Sequence, residues 1–227
     1  KIFNTKMEID FISSLHKSTK RDYLARINDK NYPKYKAAKL AKKWGYHYWD
    51  GSRKINYGGY KYIPGRWNSV IKKLCKFYNL KKNAKILDVG CGKGFFLKDL
   101  KNYDNSFEVR GIDISKYAIK NSHPDVKSFI SLSNANKLKW KDNYFDLVLS
   151  FNTLHNLHNF DLYKSLKELE RVGKKKYLVV ESYRTEKEKM NLLYWQVTCE
   201  AFCTPKEWKW WFKKANYKGD FSFIYFK

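Results

Sequence analysis

The chain has 227 residues, enough for one α/β domain with a sizeable core and a small appended element. It contains no run of about 18 apolar residues, which excludes a helical membrane span of ordinary length. Its formal charge is +25, yet 40 of the 47 basic residues are Lys and they are spread along the chain, denser only at 34–43 and 174–176. That distribution fits a solvated, compositionally biased surface first, and a field steering an anionic substrate or nucleic acid second.

In chain order, residues 7–43 read as helical. Phe11, Ile12, Leu15, Tyr23, Leu24 and Ile27 fall at helix-like spacing, with Pro33 as a break. Residues 44–67 are rich in glycine and aromatics and fit no regular element, and a helix follows at 68–79. From residue 85 strands and helices alternate, the signature of a parallel sheet with crossover helices. Strands are expected at 85–89, 107–113, 127–131, 145–151 and 176–182, and helices at 94–101, 115–121, 160–172 and 204–215. Phe221–Phe226 closes the chain as a further strand. This gives a Rossmann-like, mostly parallel sheet of six or seven strands. Residues 1–75 form an N-terminal helical extension and aromatic lid, and 76–227 the core.

The stretch Ile86-Leu87-Asp88-Val89-Gly90-Cys91-Gly92-Lys93-Gly94 runs a buried strand into a glycine turn and then an apolar helix face at Phe95-Phe96-Leu97. Such turns commonly set helix N–H groups against pyrophosphate. Here Asp88 would stand beside the phosphates, and the third glycine of the dinucleotide pattern falls at Phe95. Both features favour a ligand presenting a cation. Asp113, which ends the next strand 25 positions after Asp88, is placed to accept hydrogen bonds from ribose hydroxyls.

Asp-Val-Gly-Cys-Gly-Lys-Gly followed by Gly-Ile-Asp-Ile-Ser resembles the class I S-adenosylmethionine-dependent methyltransferases. The resemblance implies S-adenosyl-L-methionine as cofactor, S-adenosyl-L-homocysteine as product, and a seven-stranded sheet with an antiparallel end. Only one clear strand follows the last helix, so the sheet has six strands, or Leu192–Thr198 supplies another, or the chain is trimmed. Cofactor contacts carried over are Asp88, Gly90, Cys91, Gly92, Asp113 and Ile114, then Asn134 and Ala135 after strand three, and Phe151 after strand four. The family often has Asp-Ala at 134–135. Asn134 departs from that but keeps an amide oxygen for the adenine amino group; the alternative is a turn asparagine.

Asn152 and His155 would face the transfer site. His155 is the general-base candidate, since imidazole titrates near neutrality; the alternative is a structural loop histidine. Strand five ends in Val180-Glu181-Ser182-Tyr183-Arg184, adding Glu181 as a second candidate base and Arg184 as a substrate contact. Arg66 stands out in a Lys-coated chain, because a guanidinium fork suits carboxylate or phosphate; a salt bridge to Glu181 or Asp50 is its plainer reading. Tyr57, Tyr60 and Trp195 come from the two aromatic segments that build a substrate lid in similar enzymes. A lid matters because transfer needs nucleophile, methyl and sulfur in line with water excluded.

The expected function is methyl transfer to a small anionic molecule, such as a sugar or surface-polysaccharide precursor. An RNA methyltransferase and a non-catalytic cofactor-binding scaffold are the alternatives. No Asn/Asp-Pro-Pro-aromatic signature follows strand four, where the chain reads Ser150-Phe151-Asn152-Thr153. The four cysteines show no zinc spacing, no metal is called for, and no secretory apolar core heads the sequence. Cys91 sits in the ligand loop, where a disulfide would obstruct binding, so a reduced cytoplasmic setting is expected.

Overall fold

The computed structural model describes residues 7–15 and 22–227. Its strands are β1 (Lys85–Val89), β2 (Glu108–Asp113), β3 (Ile130–Leu132), β4 (Phe145–Phe151), β5 (Gly173–Ser182) and β6 (Asp220–Tyr225). Its α-helices are α1 (Tyr23–Ile27), α2 (Lys34–Ala41), α3 (Tyr46–Trp49), α4 (Asn68–Tyr78), α5 (Phe95–Tyr103), α6 (Lys116–Lys120), α7 (Asn159–Val172), α8 (Glu186–Trp195) and α9 (Pro205–Lys214). The strands form one sheet in the order β3-β2-β1-β4-β5-β6, and every pairing is parallel.

Strand periodicity divides the core between the two faces of the sheet. Ile86, Leu147, Leu149, Tyr177 and Val179 point to the face covered by α4 and α5, which bury Val70, Ile71, Leu74, Phe96, Leu97 and Leu100 there. Leu87, Val89, Val148, Leu178 and Val180 point to the other, where α7 and α9 bury Leu162, Leu166, Leu169, Trp208 and Phe212. These runs are apolar on both faces, as central parallel strands must be. No described helix is long and apolar enough to cross a membrane.

Several expectations change. The sheet has six strands and no antiparallel member among the described residues. Leu192–Trp195 belongs to α8 and 196–198 to no strand, so that stretch supplies no seventh. The outer edge of β6 is instead covered by residues 7–9: Ile9 N donates to the Phe221 carbonyl (2.8 Å) and Phe221 N to that of Met7 (3.0 Å). The third strand is shorter than expected because Pro124 opens a 3-10 turn over Pro124–Phe129, with His123 capping Asp125 N. The long N-terminal helix resolves into α1 and α2. Phe11 and Ile12 are buried outside any helix, Asp10 folding the chain back by accepting from Ile12 and Ser13 N. Part of that helical reading, at 16–21, lies outside the described residues. Pro33 caps the start of α2 and does not merely interrupt a helix. A division at residue 75 falls inside α4, which is embedded in the core.

The irregular segment 44–67 contains only the single turn α3, yet it is firmly attached. Asp99 of α5, with no exposure to solvent, accepts hydrogen bonds from Tyr62 Oη (2.6 Å), Gly65 N (3.1 Å) and Trp67 N (3.0 Å). Asp99→Ala removes the acceptor for three donors at once and is expected to cost about 2–4 kcal/mol, read as a lowered urea midpoint. The same variant should be cleaved faster by protease within 57–66.

Candidate active site

Ligands of open α/β sheets bind beyond the carboxyl ends of the strands, where the order reverses between β1 and β4. A cleft opens there, walled by the turn after β1, the ends of β2 and β4, and segment 44–67. Asp88, Gly90, Cys91, Gly92, Asp113, Ile114, Asn134, Ala135 and Phe151 all line it, as do Tyr57, Tyr60 and Asn152. The expected cofactor contacts therefore converge on one site.

The turn is built for close approach. Gly90 N and Cys91 N donate to the Ile112 carbonyl (2.8 and 3.0 Å), tying the loop to β2. Gly90 has φ +83°, and a Cβ there would stand 2.1 Å from Thr153 Oγ1. Gly92 has φ +55°, and its Cβ would meet the Trp49 ring at 2.7 Å. Asp113 Oδ2 accepts from Gly92 N and Oδ1 from Ser115 N, both at 2.8 Å. Each oxygen keeps a lone pair for a ribose hydroxyl.

Asp88 is 3% exposed, and its Oδ1 has no hydrogen-bond partner. Burial, then the neighbouring Asp113 charge, pushes its carboxyl up to about 8. Burial also raises Asp113. Among the described residues no Lys or Arg lines the cleft, so the two acids lack a cation there, despite the +25 charge of the chain. A ligand carrying an ammonium and a sulfonium supplies what this site lacks, and S-adenosylmethionine fits it.

Segment 44–67 furnishes an aromatic wall of Trp44, Tyr48, Trp49, Tyr57, Tyr60 and Trp67. Trp49 stacks on Tyr57 (5.6 Å, 10°) and Tyr60 on Phe95 (5.0 Å, 22°). Lys93, from the middle of the glycine turn and 5% exposed, places Nζ 2.7 Å from both Asp50 carboxylate oxygens and 2.9 Å from the Tyr60 carbonyl. Asp50 also accepts from Tyr117 Oη of α6 (2.9 Å) and from Tyr60 N (3.1 Å). Trp49 Nε1 donates to Ser115 Oγ (2.9 Å). Sequence reasoning passed over Lys93 and Trp49 and considered Asp50 only as a partner of Arg66; a lysine flanked by loop glycines, opposite an acid in an aromatic segment, was the available signal.

Other placements differ from expectation. His155 is 2% exposed and does not line the cleft. Burial depresses its imidazole to about 3, so it is neutral and no longer a neutral-pH base. Its Nδ1 accepts from Glu181 N (3.4 Å), and Nε2 lies 3.4 Å from Glu181 Oε2. Glu181, 5% exposed and also bonded by Gln196, stands in this buried cluster behind the cleft. Arg184 stacks on Tyr225 (3.8 Å) and pairs with Glu188, away from the cleft. Trp195 packs against Tyr23 and beneath Arg26 and Arg53. Arg66 pairs with neither Glu181 nor Asp50; it lines a recess beside the cleft with Lys61, Ile63, Phe95, Tyr57, Tyr60 and Trp67. Asn134 lines the cleft, but its amide oxygen already accepts from Asn136 N (3.1 Å), leaving one lone pair.

Fold and cleft together are those of an α/β protein whose site suits a nucleoside cofactor. The methyltransferase-domain family matches residues 80–216, well over half of the chain, and the chain belongs to this family of class I S-adenosylmethionine-dependent methyltransferases. An uncharacterized protein of Methanocaldococcus jannaschii is 34% identical over 106 residues, 47% of this chain and 43% of that protein. The mouse mitochondrial arginine-hydroxylase NDUFAF5 is 33% identical over 89 residues, 39% of this chain and 25% of its own length. The chain thus spans less than half the length of these curated relatives. Among solved structures, YcgJ of Bacillus subtilis shares the fold with a TM-score of 0.51 at 17% identity, covering 64% of this chain and 66% of that one.

The Asp88 carboxyl makes a pH prediction. Its folded value of about 8 lies above its ordinary 3.8, so between these limits the ligand-free native state holds a proton that the unfolded chain has lost. Its contribution to stability is complete below 3.8 and disappears as pH rises through about 8. Melting temperature should therefore fall over this window, with Asp113 adding in the same direction, and Asp88→Asn should flatten the decline.

Proposed function

We propose that the protein transfers the methyl group of S-adenosylmethionine to a small acceptor with an anionic end. The observation that carries the cofactor reading is the unpaired, buried Asp88 Oδ1 at the head of the glycine turn. The cofactor supplies a methyl group on a positively charged sulfur. Asp88 and Asp113 hold its cationic and ribose parts, and Ile114, Asn134 and Ala135 border its base. The aromatic wall acts as the lid that excludes water and orients the acceptor.

Arg66 supports the anionic acceptor. Its side chain lines a recess contiguous with the cleft through Tyr57, Tyr60 and Trp67, and Lys61 adds a second positive charge. An acceptor whose anionic group occupies the recess extends its nucleophile past these rings toward the methyl. Rate enhancement then comes mainly from alignment, with His155 and Glu181 as a buried support beneath the loop after β4. The four cysteines are free, which suits a reducing cytoplasmic compartment.

Calorimetric titration with S-adenosylmethionine, then incubation of methyl-labelled cofactor with small-molecule and RNA fractions of cells, tests this reading. Binding and a labelled small anionic product are expected. Arg66→Met should raise the acceptor KM by roughly tenfold, the worth of a charge-assisted hydrogen bond, and leave cofactor affinity unchanged. Label appearing only in RNA would replace the small-molecule reading. Binding without transfer to any fraction would leave a cofactor-binding scaffold.

A further inference from the structure

Arginine is scarce in this chain, yet two of the arginines meet on one ring outside the cleft. Arg26 of α1 lies over Trp195, the last residue of α8, with its guanidinium carbon 4.8 Å from the ring centre. Arg53, from the aromatic segment, places its own 5.5 Å from the same centre. Between them they hold four consecutive carbonyls. Arg26 Nη1 donates to the carbonyls of Ile55 (2.7 Å) and Lys54 (3.5 Å), and Arg53 Nη1 to those of Asn56 (3.0 Å) and Tyr57 (3.4 Å). Only Nη1 of each is engaged. Among the described residues, Nε and Nη2 of both make no hydrogen bond. That edge is one of the two a guanidinium offers to an oxyanion.

Neither guanidinium has a carboxylate partner among the described residues, and residues 1–6 and 16–21 contain no Asp or Glu to supply one. The acids nearest in sequence are engaged elsewhere. Asp22, one turn before Arg26, caps α1 by accepting from Ala25 N (2.9 Å), and Asp29 pairs with Lys54 (2.8 Å). Arg26 is nonetheless 8% exposed. Burial, then the Arg53 charge, brings its guanidinium down to about 10, still charged at neutral pH. A third cation, Lys34 of α2, donates to the Leu193 carbonyl in the last turn of α8. The negative end of α8 is therefore served by Lys34, and the arginines are not needed for that role. A buried cation without an anion costs free energy, and is kept where a ligand supplies the partner.

We propose that Arg26, Arg53 and the Trp195 ring form a binding site for a phosphate group, carried by inorganic phosphate or by a small metabolite. A phosphate dianion matches two guanidiniums in charge, and its tetrahedral oxygens accept from two separate edges. A carboxylate brings one charge and fills one edge. The indole holds both cations against an apolar face and limits their hydration, so less is lost when the anion arrives. Both arginines precede the residues matched by the methyltransferase family, so the site belongs to this chain's own N-terminal part and does not rest on the methyl-transfer reading. An anion held there joins α1, the aromatic segment and α8 through one counter-charge. Arg53 also holds the carbonyl of Tyr57, which lines the cleft, so occupancy steadies the aromatic wall.

The test follows the arginine Nε–H signals by proton–nitrogen NMR, assigned through their side-chain connectivities, as inorganic phosphate is added. Sodium chloride at matched ionic strength is the reference. The Arg26 and Arg53 signals are expected to move together, saturate with a single Kd and stay in place with chloride. Arg53→Lys keeps the charge and removes the fork. It should weaken phosphate binding, read on the Arg26 signal, by roughly tenfold or more, while Arg66→Met leaves that Kd unchanged. Glycerol phosphate binding more tightly than inorganic phosphate assigns the group to a metabolite; the reverse order assigns free phosphate. Signals that drift without saturating, that respond equally to chloride, or that keep their phosphate affinity in Arg53→Lys would each overturn the site. Saturation confined to the Arg66 signal would overturn it too, and would leave the reading of the recess standing.

Discussion

Two acidic residues, Asp88 and Asp113, are buried at the carboxyl ends of adjacent parallel strands, and among the described residues no basic side chain lines the cleft beside them. Burial raises the proton affinity of both, and at Asp88 the neighbouring Asp113 charge adds to it. The surrounding structure is arranged to tolerate this. Asp113 is met by two backbone N–H groups, from the glycine turn and from the start of α6, and its charge is partly offset. Asp88 receives no such compensation at Oδ1 and is the more strained of the two. Such a site is incomplete as a folding motif and complete as a receptor for a cation.

The aromatic segment answers a second constraint. It is an irregular chain laid over the mouth of a sheet, so its backbone gains little from regular pairing. Carboxylates do the fastening: Asp50 reaches out of the segment to Lys93 and Tyr117, and Asp99 reaches into it from α5. The rings fill the space between these anchors. Function on this fold resides in such local elaborations and not in the sheet.

The sheet was largely legible in the sequence because its signals are local. Ile86–Val89 and Phe145–Phe151 are apolar apart from Asp88, Asp146 and Ser150, and the glycine turn announces the site. The site candidates that stand outside the cleft share one cause. His155, Glu181, Arg184 and Trp195 sit near strand or helix ends, where position along the chain suggests a mouth-facing role. Whether each side chain turns toward the mouth or into the layer behind depends on packing by α8, α9 and the N-terminal residues, all distant in sequence. The pairing of Lys93 with Asp50 was missed for the same reason, since 43 positions separate the partners.

Lys93 belongs to the cofactor turn, and its charge is neutralised by a residue of the aromatic segment. Ordering of the turn and docking of the segment therefore share one ion pair, and a ligand that favours either would favour both. On the proposed reading the coupling would be reciprocal: occupancy of the nucleoside cleft would strengthen the acceptor's hold, and an acceptor against the rings would strengthen the cofactor's by the same factor. The aromatic segment would thereby acquire influence over how tightly the turn holds its ligand.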